Sequence, residues 1–105
     1  MILILIVAAV SGLATYLHLT AITPARPVGF QEVRAIDEGR RSFPLAIWYP
    51  TIGKPGILLR GSRAMRVVSD GPVEGTDLPL IVFSHGTRGS AFDHSDTAIA
   101  LAEQG

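Results

Sequence analysis

The chain of 105 residues contains no cysteine. This absence excludes a disulfide framework, a thiolate metal site, a cysteine nucleophile and a lipidated cysteine. The 9 basic and 9 acidic residues leave no net charge, and a chain without a basic excess gives no reason to expect a nucleic-acid partner. The length suggests a single domain. Composition therefore removes several classes of function but assigns none.

Charged side chains are also missing from the start of the chain. The residues after Met1 are apolar up to Val10, and Arg26 is the first charged residue. An apolar stretch of about 18 residues can cross a bilayer as a helix, whereas a signal peptide has a shorter apolar core and a basic start. Residues 1–25 are therefore predicted to be a signal peptide or an N-terminal membrane anchor, with membrane contact through residues 2–22.

The leader leaves one question open and sets the expected localisation. Ala14 and the stretch Ala21–Ala25 offer small residues of the kind found at signal cleavage sites. A cleaved signal peptide and a retained anchor both fit these residues. We expect an exported protein, periplasmic or secreted, or a membrane-anchored one, with residues 28–105 forming the folded part.

Two strands and a long connection are predicted next. Val28–Asp37 and Ser42–Tyr49 mix β-branched, aromatic and polar residues around a glycine-bearing turn, which is typical of a β-hairpin. Thr51–Asp77 is rich in glycine and is expected to be mostly a surface loop, within which residues 57–68 can form a short strand or turn. A basic patch that touches lipid head groups is the alternative for this loop, and it would use Lys54, Arg60, Arg63 and Arg66.

A strand, a loop and a helix are predicted for the last third. Leu78–Ser84 is apolar without alternation, which is typical of a strand buried on both faces of a parallel sheet. Apolar residues then recur at helical spacing from Phe92 to Ala102. Capping oxygens and first-turn acidic groups are offered near the start of this stretch by Ser90, Asp93, Ser95 and Asp96, and Gly105 stands where a helix is expected to end.

The loop between this strand and helix is the candidate site. Its segment Gly86–Gly89 matches neither of the glycine patterns that bind nucleotide phosphates. A second use of such a loop is an oxyanion hole, in which backbone N–H groups point at the oxygen that becomes negative during acyl transfer. Gly86 would let the backbone turn, and His85 would help to hold the loop.

The segment "PLIVFSHGTRGSAFDHSDTAIALAEQG" resembles the third strand and first helix of α/β-hydrolases. It is closest to the group of dienelactone-hydrolase-like proteins and platelet-activating-factor acetylhydrolases. The upstream segment "VGFQEVRAIDEGRRSFPLAIWYPT" is similar to the opening hairpin of that group. The resemblance covers residues 28–105 except much of 51–77. It implies the N-terminal portion of an α/β-hydrolase fold: an antiparallel hairpin, then a central strand and the first helix, in an incomplete sheet.

The resemblance also implies one site and leaves the rest of the machinery outside the chain. The backbone N–H of Thr87 would be an oxyanion donor, with His85 and Gly86 completing the loop motif. The 105 residues contain no G-x-S-x-G, so the nucleophile, acid and base would lie elsewhere. No metal or organic cofactor is implied. A triad of Ser84, Asp93 and His94 is disfavoured, because Ser84 belongs to the predicted buried strand and Asp93 and His94 to the start of the helix. A metal site at Asp93, His94 and Asp96 is disfavoured because adjacent helical residues do not face one point.

The resemblance therefore predicts an N-terminal fragment of an exported serine ester hydrolase. Its substrate would be a carboxylic ester, either a small molecule or a lipid-like one, and this chain alone is predicted to be inactive. The alternative is a non-catalytic membrane-associated remnant or binding module. An unpaired central strand would leave apolar faces uncovered, and such faces favour aggregation.

Overall fold

The computed structural model describes residues 1–86 and 89–105 and has a mixed α/β architecture. Its elements are helix α1 (Ile2–Thr20), strands β1 (Val28–Ile36), β2 (Ser42–Pro50), β3 (Gly56–Arg60) and β4 (Arg63–Ser69), and helix α2 (Ser95–Gln104). The strands form one sheet in the order β2-β1-β4-β3. The pairs β1–β2 and β3–β4 are antiparallel, and β1 is parallel to β4. The sheet is therefore mixed.

The predicted first hairpin is confirmed, within a residue at each strand end. Its register runs from Val28 opposite Pro50 to Ile36 opposite Ser42. The Asp37 carboxylate closes the connecting turn, since it accepts hydrogen bonds from the backbone N–H and the Nε–H of Arg41, at 2.8 and 3.0 Å. An acidic residue at the start of a turn commonly makes such local bonds.

The expectation of a mostly irregular loop over residues 51–77 is wrong. The segment contains the hairpin β3–β4, and β4 lies in the interior of the sheet between β1 and β3. Met65 and Val67 alternate along β4 and are buried, at 0% and 2% exposure. Gly61 has a φ of +58°, a conformation that a two-residue hairpin turn needs. Of the glycines that suggested a loop, Gly61 lies in the hairpin turn and Gly56 begins β3.

The core lies between one face of the sheet and α2. It is a buried cluster of Val28, Phe30, Met65, Val67, Ile99 and Ala102. The rings of Phe30 and Trp48 add a tilted pair on the same side, with centroids 5.3 Å apart at 58°. Tilted aromatic pairs at this distance are favourable beyond the area that they bury. The helix α2 is therefore held against β1 and β2 by its apolar side.

The predicted strand over Leu78–Ser84 is not formed. Residues 79–86 lie outside any helix or strand, and the side chains of Leu80 and Val82 are 88% and 79% exposed. A strand with apolar residues on both faces needs hydrogen-bonding neighbours and a cover on each face. In the described part of the chain, no strand pairs with this segment, and nothing covers the side chains of Leu80 and Val82.

The leader forms a helix that stands apart from the core. The 19 residues of α1 span about 28 Å at 1.5 Å per residue, close to the thickness of a bilayer's hydrocarbon region. None of them is buried, and their mean hydropathy is 2.2. An apolar N-terminal helix is thus present, and it is compatible with a signal peptide or a membrane anchor.

Candidate functional site

The candidate site is the loop from His85 to His94, which joins the unpaired apolar segment to α2. Both His85 and Gly86 are exposed. The Nδ1 of His85 lies 3.0 Å from the carbonyl oxygen of Gly86. A carbonyl oxygen can only accept, so this contact requires the proton on Nδ1. The imidazole is thereby bound to its own loop, and its Nε2 is left for other partners.

The oxyanion donor expected at Thr87 lies outside the described residues. On the described residues to either side, the N–H of Gly89 donates a hydrogen bond to the carbonyl of Gly86 at 2.9 Å. A Cβ at Gly89 would lie 2.7 Å from the Asp93 carboxylate and 3.0 Å from the Gly86 carbonyl. A Cβ at Gly86 would meet nothing within 4 Å. The steric need for glycine in this loop is therefore at Gly89.

A second turn leads from the loop into the helix, and Asp93 organises it. Its carboxylate accepts hydrogen bonds from the N–H of Ser90 at 2.9 Å and from the Ser90 hydroxyl at 3.0 Å. These bonds to the charged form lower the pKa of Asp93, and the nearby His85 and His94 act in the same direction. The carboxylate is thus engaged in holding backbone.

The start of α2 agrees with the predicted helix but differs from it in detail. The helix begins at Ser95, with His94 in the capping position and without a side-chain capping bond. Ser95 is fully buried, and its hydroxyl donates to the carbonyl of Phe92 at 2.7 Å. Asp96 lies in the first turn, where a negative charge is favourable, and Gly105 follows the last turn with a φ of +100°.

The structure does not bring Ser84, Asp93 and His94 together as a catalytic triad. The ring of His94 stacks on Phe83, with centroids 6.1 Å apart at 28°, and Asp93 is bound to Ser90. In the described residues no hydrogen bond joins a histidine nitrogen to a serine hydroxyl. Within the same residues, no group of three metal-ligating side chains comes together.

Two contacts near the site were not predicted from the sequence. Arg63, on β4, donates to the carbonyl of Asp93 over 3.4 Å, and the Glu103 carboxylate on α2 accepts from the N–H of Ala25. Each joins segments far apart in the chain, so no local pattern reveals it. They connect the loop and α2 to the rest of the sheet and to the chain that follows α1.

No protein-family model, curated protein or solved structure matches this chain.

Proposed function

We propose that this chain is the N-terminal part of an exported or membrane-anchored serine ester hydrolase of the α/β-hydrolase type. The observation that carries the proposal is the order of its parts. A hairpin that ends in "WYPT" is followed by "FSHG", a hydrogen bond between Gly86 and Gly89, and a helix that packs on the hairpin. The Thr87 amide would stabilise the oxyanion, and His85 and Gly86 would shape its loop.

The remaining chemistry would be supplied from outside these 105 residues. The nucleophilic serine of G-x-S-x-G would form an acyl-enzyme from a carboxylic ester, either small or lipid-like, and water would release the acid. No cofactor enters this chemistry. In such a fold, Leu78–Ser84 would gain parallel strands on both edges and helices on both faces, which would bury the apolar side chains now in solvent.

The test is to sequence the source locus beyond the codon for Gly105 and to express any extended reading frame. The extended product is expected to hydrolyse p-nitrophenyl esters and to react with a fluorophosphonate probe at the serine of G-x-S-x-G. The 105-residue chain is expected to do neither. Clear ester turnover by the short chain, abolished by substitution of one of its own serines, would contradict the assignment. So would an extended product without a reactive serine.

The role of Thr87 is tested in the extended product by two substitutions. Thr87→Pro removes the backbone N–H and is expected to lower kcat by about 10²–10³-fold, as loss of one oxyanion donor does elsewhere. Thr87→Ala keeps the N–H and is the matched control, expected to retain activity. Equal losses in both variants would assign the effect to the side chain and would refute the backbone role.

A non-catalytic membrane-associated module is the second candidate, and α1 is the observation that favours it. The helix is long enough to cross a bilayer and has no buried residue. In this case the locus would encode no nucleophile, and the chain would still partition into membranes.

A further inference from the structure

We propose that the junction of α1 and the β3–β4 hairpin is a binding site for the phosphate of an anionic phospholipid, with α1 inserted in the same membrane. This inference goes beyond the proposed hydrolase function and does not depend on it. It rests on three features: the attachment of α1 to the sheet, the depth at which its last turn lies, and the chemistry of the cleft beside it.

The chain after α1 is built into the sheet. The N–H of Ile22 donates to the carbonyl of Ala64 at 2.9 Å, and the N–H of Arg66 donates to the carbonyl of Ile22 at 2.9 Å. The side chain of Ile22 packs against the core. Cleavage after Ala25 would remove this residue and both bonds, so the fold favours a retained anchor over a cleaved leader.

The guanidinium of Arg66 fixes the last turn of α1 against β4. It donates to Nδ1 of His18 at 2.8 Å, to the His18 carbonyl at 3.2 Å and to the Thr23 hydroxyl at 3.1 Å. A guanidinium can only donate, so the His18 ring accepts at Nδ1. Two backbone bonds and a three-way guanidinium contact leave no flexible linker between helix and sheet.

The end of α1 lies at the depth of the lipid head groups when the apolar helix fills the hydrocarbon region. Tyr16 lies in the last turns of the helix, and tyrosine is enriched at the membrane–water interface. His18 and Thr20 follow it as polar residues. The β3–β4 turn beside this end is therefore held at the membrane surface.

A shallow cleft of about 210 Å³ opens between the last turn of α1 and the β3–β4 turn. Its polar lining is Tyr16, Thr20, Ser62 and the cation Arg63, and its apolar lining comes from both α1 and the hairpin. No carboxylate lines it. Among the described residues, the Arg63 guanidinium makes a long contact with the Asp93 carbonyl, at 3.4 Å. The Thr20 hydroxyl donates to the Tyr16 carbonyl at 2.8 Å, so the donors for a phosphate are Arg63 and the hydroxyls of Tyr16 and Ser62. The apolar lining suits the adjoining glycerol and acyl carbons.

The site is tested with the full 105-residue chain in nanodiscs of phosphatidylcholine with one-fifth phosphatidylglycerol. Native mass spectrometry after release counts the lipids that stay bound to each chain. The chain is expected to retain phosphatidylglycerol in preference to phosphatidylcholine. Arg63→Gln is expected to reduce that preference about fivefold, the effect of one basic residue at a charged membrane surface. Arg41→Gln makes the same charge change on an exposed turn residue and is expected to leave the preference unchanged.

Two further arms make the result decisive. Tyr16→Phe removes one hydroxyl without changing charge and is expected to weaken retention of phosphatidylglycerol, while circular dichroism confirms an intact fold. Millimolar inorganic phosphate is expected not to displace the lipid, because the acyl chains hold it in place. Equal retention of the two lipids, equal losses in Arg63→Gln and Arg41→Gln, or displacement by free phosphate would each overturn the proposal.

Discussion

Gly29→Ala is expected to destabilise the sheet strongly, because the ring of Tyr49 occupies the space of the missing side chain. The two residues face each other across β1 and β2. A Cβ at Gly29 would lie 2.3 Å from one ring carbon of Tyr49 and within 2.8 Å of two more. The ring cannot move freely, because Tyr49 is buried and its hydroxyl donates to the carbonyl of Gly71 at 2.7 Å.

The magnitude follows from these two constraints. Forcing an extra methyl group into a packed site costs about 1–3 kcal/mol. If the ring is displaced, its hydroxyl leaves the Gly71 carbonyl unpaired, and an unsatisfied buried group costs about 1–3 kcal/mol. A ring movement that relieves the clash breaks the hydrogen bond, so the two costs do not add in full. We therefore expect a loss of about 2–4 kcal/mol in the free energy of unfolding.

Trp48, the single tryptophan, provides the assay, since it packs on Phe30 next to Gly29. Its fluorescence is followed during guanidinium unfolding of the full chain in detergent micelles. Gly56→Ala is the matched control, because a Cβ there meets nothing within 4 Å. It is expected to change stability by less than about 1 kcal/mol.

A loss for Gly29→Ala within about 0.5 kcal/mol of the Gly56→Ala value would refute this reasoning. A second comparison isolates the ring. In a Tyr49→Ala background the space is open, so Gly29→Ala is expected to cost little further. An undiminished cost in that background would show that the clash lies elsewhere.

Three other outcomes are expected. Val82→Lys places a charge on a side chain that is 79% exposed and is expected to reduce self-association of the chain in analytical ultracentrifugation; unchanged association would show that residues 78–84 do not cause it. The pKa of Asp93 lies below its ordinary value of 3.8, so the turn that it holds is stabilised above that value and loses this contribution as the pH falls through the lowered pKa. The amide shift of Ser90 in NMR is expected to titrate below 3.8 and to be insensitive to pH in Asp93→Asn. Arg66→Met removes the donors that hold His18, and spin labels on α1 and β4 are expected to report a broader distance distribution than in the unsubstituted chain; an unchanged distribution would show that the backbone bonds of the junction suffice.

Periodicity and turn chemistry predicted the elements that are stabilised locally. The β1–β2 hairpin has its turn residues at the tip and alternation on both sides, and α2 has its apolar spacing and terminal Gly105. The α1 helix followed from a long apolar stretch without charge. In each case the pattern lies in one continuous stretch of the chain.

The loop predicted for residues 51–77 and the strand predicted for residues 78–84 were wrong for the same reason. Strand formation depends on partners elsewhere in the chain. Met65 and Val67 stand in a glycine-rich stretch, yet they are buried, because β4 lies between β1 and β3 and these side chains pack in the core with Ile99 of α2. Leu80 and Val82 have a stronger local strand pattern and remain exposed, because nothing pairs with them in the residues described. Local apolar content therefore favours a strand at residues 78–84 over one at residues 63–69, and the structure shows the reverse.

The motif of the candidate site could be recognised in the sequence, but the contacts that hold its loop could not. His85 and the glycines around it were recognisable in the sequence, and Thr87 stays a prediction. The steric need at Gly89 arises from the folded shape of the loop itself, where Asp93 and Gly86 approach it. The contact from Arg63 to Asp93 joins residues 30 apart in the chain, which local spacing does not reveal.

The junction between α1 and the sheet also fixes the order of events during synthesis. Arg66 follows its partner Thr23 by 43 residues. A ribosome that adds about 5–20 residues per second therefore needs about 2–9 s after Thr23 to reach Arg66. Throughout that interval the segment after α1 is unpaired and can pivot. If α1 inserts into a membrane, its direction of insertion is therefore set before the sheet exists, and completion of β4 then fixes the domain to that orientation.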